Sequence, residues 1–381
     1  MLRPGSLALT LLLAMLTGLG PLSVDMYLAS LPSISRLLNA PTSQVQLTIS
    51  AYLIGFACAQ VFYGPLSDRH GRRPVLIAAL GIYLLATVAC ALAFSIETLI
   101  AARFVQAVGG SGASVLARTV VRDMYEGTRV GRELARMAAI MALAPLVAPL
   151  IGGVLQTAFG WRSNFVLLFC FGAAAWIMVW FLLPETLRQR APEPVSIAST
   201  LRSYRRFLAD RGFVIHLGIA TCCLCGLFAW ISGGAFVLQD IYGLSPMAFG
   251  VAFTVAASGY LVGTSIAARF VMRWGSQRTM GLGAAAMALG GVTMILSVAF
   301  TSHGAWGVVG ATGLYLVGMG MTLAQAQAGA LLPYPDRAGA ASSLLGFVTQ
   351  TASAIVGAIL GHTLGLTAWP LAIAVLLAGG L

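Results

Sequence analysis

Gly64-Pro65-Leu66-Ser67-Asp68-Arg69-His70-Gly71-Arg72-Arg73-Pro74-Val75-Leu76 is a polar knot between two apolar stretches, 44–66 and 75–96. Each flank is long enough to cross a bilayer as a helix. A connection this short needs glycine to turn sharply between helices, and Asp68 can cap or face a helix N-terminus. The competing interpretation is that the charges serve only to fix which side of a membrane the connection occupies.

The pattern extends outward in both directions. Apolar stretches recur near 7–31, 98–117, 137–159, 163–184, 213–237, 247–268, 279–300, 304–329, 340–361 and 363–381. Hydrophobic residues form 59% of the 381 positions and charged residues 9%, against roughly 25% charged in a soluble domain. At about 20 residues per span, the length is filled by a dozen helices and leaves no sizeable soluble domain. All 22 basic residues are arginine. Without lysine there is no Walker A loop and no Schiff-base cofactor, so energy is expected from an ion gradient and no cofactor is expected.

With an inner N-terminus, nineteen arginines fall on one side, in the connections after even-numbered spans and at Arg3, while Arg36 and Arg162 lie opposite and Arg103 lies within a span. This asymmetry predicts a cytoplasmic N-terminus and an even number of crossings. Anionic lipid headgroups, not nucleic acid, are the neighbours that the net charge of +11 implies. The longest connection, 185–212, carries Pro192, Pro194 and several serines and reads as a linker. It separates 1–184 from 213–381, six spans each, and arginines with a glycine in Gly263–Gly275 echo the first knot. Such repeated halves indicate a transporter that rocks about a central site. Cys222 and Cys225 have CxxC spacing but no second ligand pair, so packing is expected there and no metal.

The knot resembles the signature loop of the major facilitator superfamily. Pro21-Leu22-Ser23-Val24-Asp25-Met26-Tyr27-Leu28-Ala29-Ser30-Leu31-Pro32 is similar to the first helix of its bicyclomycin/chloramphenicol resistance (Bcr/CflA) subfamily of drug:proton antiporters. Further marks are Val121-Arg122-Asp123-Met124-Tyr125, Ala144-Pro145-Leu146-Val147-Ala148-Pro149-Leu150-Ile151-Gly152-Gly153, Pro184-Glu185-Thr186-Leu187 and Ala368-Trp369-Pro370. Ala29 stands where the subfamily usually has proline, and Ala144 and Ala148 replace glycines. The chain ends at Leu381 without the basic tail normal in the family, which implies a shortened last helix. The resemblance implies an all-α fold of twelve transmembrane helices in two six-helix bundles. It also implies a cytoplasmic latch of Gly64, Asp68, Arg69, Gly71, Arg72 and Arg73, with Arg72 paired to Asp123.

Asp25 and Arg103 are the formally charged residues placed well inside these spans. A charge at the bilayer centre costs roughly 2.5–3.5 kcal/mol on insertion scales, which makes both functional candidates. At 1.5 Å per residue both lie about 8–11 Å below the outer surface, so they can meet. Arg103 belongs to Leu99-Ile100-Ala101-Ala102-Arg103-Phe104-Val105-Gln106-Ala107-Val108-Gly109, similar to the superfamily's proton-coupling motif on helix four, with Ala107 in place of a glycine. An aspartate binds and releases a proton, whereas an arginine stays charged and only biases its neighbour. Asp25 is thus expected to be the proton site and Arg103 its modulator; a static pair orienting two helices is the alternative.

Pro145, Pro149, Gly152 and Gly153 disfavour a straight fifth helix and resemble the antiporter motif, which implies export. Tyr27, Tyr52, Gln106, Trp230, Phe236, Gln325 and Gln350 have the aromatic and amide character of a weakly selective cavity. The expected function is proton-coupled efflux of small, mostly neutral or zwitterionic antibacterials across a bacterial inner membrane by a monomer. The alternative is export of a native metabolite such as an amino acid.

Overall fold

The computed structural model describes residues 6–380 apart from 126–127, 142, 188–203, 301–303, 335–337 and 365–366. The described elements are helices, with no strand among them. The first crossing is broken: α1 (Leu7–Asp25) gives way to a 3-10 turn (Leu28–Ser30) and then α2 (Leu31–Leu37). There follow α3 (Thr42–His70), α4 (Arg72–Ala91), α5 (Ile96–Met124), α6 (Thr128–Met141), α7 (Ala144–Phe159) and α8 (Arg162–Leu182). The second half contains α9 (Arg211–Phe236), ending in a π turn (Val237–Ile241), then α10 (Pro246–Ala299), α11 (Gly304–Leu331), α12 (Ala338–Thr363) and α13 (Trp369–Gly380). Most of the linker expected at 185–212 lies outside the described residues.

Local chemistry accounts for the boundaries. Ser95 caps α5 in a reciprocal box with Thr98, two bonds of 3.3 Å. Ser245 caps α10, with Pro246 in its first turn. The polar knot is more helical than a loop: α3 continues through Gly64 to His70, because charged side chains do not interrupt the i→i−4 ladder, and the connection shrinks to Gly71 at φ +102°. The same device recurs at Gly275, φ +77°, which divides the 54-residue α10 into two crossings. The fifth crossing divides between α6 and α7; Pro145 sits in the first turn of α7, where its missing N–H leaves no bond unmade, and Pro149 is accommodated inside.

The halves meet toward the end opposite Gly71, here the arginine-poor end. Four side chains donate across the divide to main-chain carbonyls: Gln46 to Ser232 at 3.0 Å, Ser50 to Ala354 at 3.0 Å, Gln239 to Ala29 at 3.2 Å and Thr254 to Leu146 at 2.7 Å. Close backbone approach accompanies them. A Cβ on Gly153 would lie 2.6 Å from the Pro246 oxygen, and one on Gly250 would lie 2.7 Å from that of Pro149. The described hydrogen bonds between the halves thus close the arginine-poor end.

Candidate functional site

Arg103 lies two turns into α5 and is wholly buried. Its guanidinium carbon stands 4.4 Å from the ring centre of Tyr52 on α3, 4.9 Å from Tyr27 beside the 3-10 turn and 5.9 Å from Phe165 on α8. Nη1 donates to Gln106 Oε1 at 2.6 Å, while Nε and Nη2 have no hydrogen-bond partner among the described residues. Cation–π contacts contribute about 0.5–2 kcal/mol each, and removing a charge from water costs several. Three rings and one amide therefore leave the cation under-compensated. An arrangement of this kind favours a negative charge arriving nearby.

Asp25 is the last residue of α1 and 4% exposed. Among the described residues its carboxylate has no hydrogen bond and no ion pair, so the expected meeting with Arg103 is not made in this state. Equal rise along two helices does not by itself bring two side chains into contact. Arg103 turns into the aromatic cluster, while α1 stops at Asp25. Tyr52 is their common neighbour, within electrostatic reach of both. The break beside Asp25 is held by α7, since a Cβ on Gly152 would fall 2.0 Å from the Met26 oxygen.

Of the residues expected to line a cavity, Tyr27, Tyr52, Trp230 and Phe236 fall in one buried cluster that spans both halves. Tyr27, Tyr52 and Gln106 are buried inside the first bundle around Arg103, with the Tyr27 hydroxyl 2.9 Å from Thr48 Oγ1. Trp230 stacks on Phe253 at 5.8 Å, buried in the second half as Phe236 is. Gln325 is near the arginine-rich end, where it accepts from Ser276 at 3.2 Å. Gln350 is half-buried on α12.

At the arginine-rich end Arg72 is the centre of a second cluster. Its Nε donates to Asp123 at 2.9 Å, and Nη1 reaches Ser67 at 2.7 Å and also Asp68. Glu185 accepts from the main-chain N–H of Arg72 at 2.9 Å and of Arg73 at 3.2 Å, capping α4. Thr186 adds a bond to Asp123 at 3.2 Å. Gly71 fits beneath Glu185, since a Cβ there would lie 2.5 Å from Oε2. Arg69 is exposed, and Gly64 lies in α3 with no atom within 4 Å of an added Cβ.

Residues 13–380 match the profile described as Major Facilitator Superfamily. The chain belongs to the major facilitator superfamily. It is similar to the uncharacterized MFS-type transporter YdgK of Bacillus subtilis (strain 168), 35% identical over 93% of this chain and 89% of that one. It is 30% identical to multidrug resistance protein D of Escherichia coli (strain K12), over 94% and 90%. With the bicyclomycin resistance protein homolog of Haemophilus influenzae the identity is 29%, over 95% and 90%. These relatives are consistent with the Bcr/CflA subfamily. In fold it resembles the xylose transporter XylE from E. coli, with a TM-score of 0.74 at 15% identity over 98% and 95% of the chains. The nucleoside transporter NupG gives 0.75 at 14%, over 98% and 96%. The protein is a multi-pass membrane transporter of the superfamily's all-α fold.

Several residues of these clusters escaped the sequence analysis. Glu133 on α6 is 5% exposed and bonded to Arg136 at 2.7 Å and to Thr10 at 3.4 Å. Its place among Arg129, Arg132 and Arg136 made it look like part of a connection, and only the register of α6 turns it inward. Thr87 and Phe165 carry no charge, so no signal marked them. Glu185 was visible as part of a family mark, but its capping of α4 joins positions 113 residues apart.

Proposed function

We propose that the protein is a proton-coupled exporter of small, mostly neutral or zwitterionic antibacterial compounds of the bicyclomycin or chloramphenicol kind. It works in the bacterial inner membrane, with a cytoplasmic N-terminus, by alternating access. The observation that carries this proposal is the pairing of opposites inside the first bundle: among the described residues, the buried Asp25 carboxylate has no hydrogen-bond or ion-pair partner and two donors of the buried Arg103 guanidinium are unused. Both groups are left wanting a charge, and a proton on Asp25 is the one small species that changes the balance between them. Closure at the arginine-poor end, beside the Gly152 joint, supports a cycle in which Asp25 is loaded from one side and discharged to the other. The resistance named in two of the relatives' titles supports drugs as cargo.

The test is drug-induced proton release from everted vesicles, read with a pH-sensitive dye, for wild type and Asp25→Asn with bicyclomycin and chloramphenicol. A response in wild type that is lost in Asp25→Asn is expected. Full proton-coupled transport by Asp25→Asn sinks the role of Asp25, and no response to either drug in correctly inserted wild type sinks the cargo assignment.

A further inference from the structure

The hydrogen bonds behind Arg103 run in one direction only. Thr87 Oγ1 donates its single proton to the Tyr83 carbonyl, 2.6 Å away on the same helix. What Thr87 then offers Gln106 is a lone pair, and Gln106 Nε2 donates to it at 2.8 Å. With the NH2 group committed to α4, the amide carbonyl must face the other way. There it meets Arg103 Nη1 at 2.6 Å and the weaker donor Cys90 Sγ at 4.0 Å. Two donors converging on Oε1 agree with that assignment. Gln106, Thr87 and Cys90 are all buried, so water does not compete for these bonds.

We propose that Thr87 and Gln106 form a two-residue positioning relay that points a carbonyl dipole at Arg103 and so sets how strongly Arg103 biases Asp25. The relay rests on the assignment of Asp25 as the proton site. Gln106 is the only hydrogen-bond acceptor Arg103 has among the described residues, so the location of the charge depends on which end of one amide faces it. Were the amide reversed, an NH2 group would meet a guanidinium and two positive ends would oppose each other. Thr87 adds an anchor for the observed orientation, because with its hydroxyl hydrogen occupied on its own helix it offers the amide only a lone pair. A residue of the same shape without an oxygen leaves the NH2 end unanchored and loosens the hold of the carbonyl on Arg103. The Arg103 charge that the amide faces stands 4.4 Å from the ring centre of Tyr52.

The test is an infrared titration of the full chain in lipid, reading the protonated-carboxyl band that disappears in Asp25→Asn. It requires no substrate. Gln106→Glu puts a full negative charge at the carbonyl position and offsets Arg103, so the band midpoint moves up by about one pH unit or more. Thr87→Val removes the lone pair that anchors the NH2 group to α4, so the carbonyl is no longer held against Arg103 and the midpoint moves down, while Thr87→Ser keeps the lone pair and titrates as wild type. Folding is checked by thermal unfolding of each variant. The Thr87 pair decides the matter if Gln106→Glu does not insert. A midpoint unmoved in Gln106→Glu, or equal in Thr87→Val and Thr87→Ser, overturns the relay and leaves Asp25 as the proton site. If no band is lost in Asp25→Asn, the parent assignment falls, and the relay falls with it.

Discussion

Alanine at position 152 pits two known effects against each other. Within a helix, replacing glycine by alanine ordinarily stabilises by about 1 kcal/mol. In α7 the added methyl would lie 2.0 Å from the Met26 oxygen and 2.8 Å from its carbonyl carbon. To restore a van der Waals distance of about 3.5 Å, α7 has to retreat by roughly 1.5 Å from the break in the first crossing. Overpacking costs about 1–3 kcal/mol, and the obstacle is main chain, which cannot swing aside, so the upper end applies. The net loss is about 2 kcal/mol, roughly thirtyfold in the equilibrium that packs α7 against the break in the first crossing. Gly81→Ala is the control, since nothing lies within 4 Å of its added methyl. Hydrogen exchange in lipid should quicken across residues 23–34 and 246–254 in Gly152→Ala, and the thermal midpoint should fall there and rise in Gly81→Ala. Wild-type exchange in Gly152→Ala, or midpoints moving in the same direction in both variants, would refute the steric account.

Arg72→Lys keeps the charge but replaces a planar fork holding Asp123, Ser67 and Asp68 by one ammonium. Losing one charged hydrogen bond, about 1.5–3 kcal/mol, should slow drug-driven proton release at least tenfold; a wild-type rate would show that the cluster acts through charge alone. Asp210 tests a different contact at the arginine-rich end. The Tyr334 hydroxyl first, and then the N–H groups of Gly212 and Phe213, hold its carboxyl below the usual carboxylate range. A depressed folded value means that the contribution is complete above the unfolded value near 3.9 and lost as pH falls through the folded one. Tyr334→Phe should therefore lower the thermal midpoint at pH 7 and match wild type at pH values below the folded one, whereas a gap constant from about pH 7 to 2 would contradict the assignment.

What the sequence disclosed follows from what helices fix and what they leave free. Rise per residue is invariant, so matching depths for Asp25 and Arg103 could be expected without coordinates. Azimuth depends on every neighbour, and the three rings around Arg103 come from three different elements. Arg72 and Asp123 were legible because acids are scarce and the polar knot stands out against apolar surroundings. Neutral partners such as Thr87 had no such contrast, and Glu133 was hidden by the arginines around it. Tyr27, Tyr52 and Gln106 have the composition of a binding pocket, yet composition alone did not disclose that they gather around a buried cation. The helical character of Gly64–His70 was missed because charge was taken for a loop signal, although a side chain pointing to solvent leaves the backbone ladder intact.

The four bonds that join the halves have a consequence for inheritance. In each, the donor is a side chain and the acceptor is main chain. Mutation can erase Gln46, Ser50, Gln239 or Thr254 as donors, but no substitution at Ser232, Ala354, Ala29 or Leu146 removes a carbonyl. Variation under drug selection is thus free to reshape the accepting surfaces while the seal persists. Variants that loosen the seal itself should accumulate at the four donors, which makes one face of the joint evolvable and the other constrained.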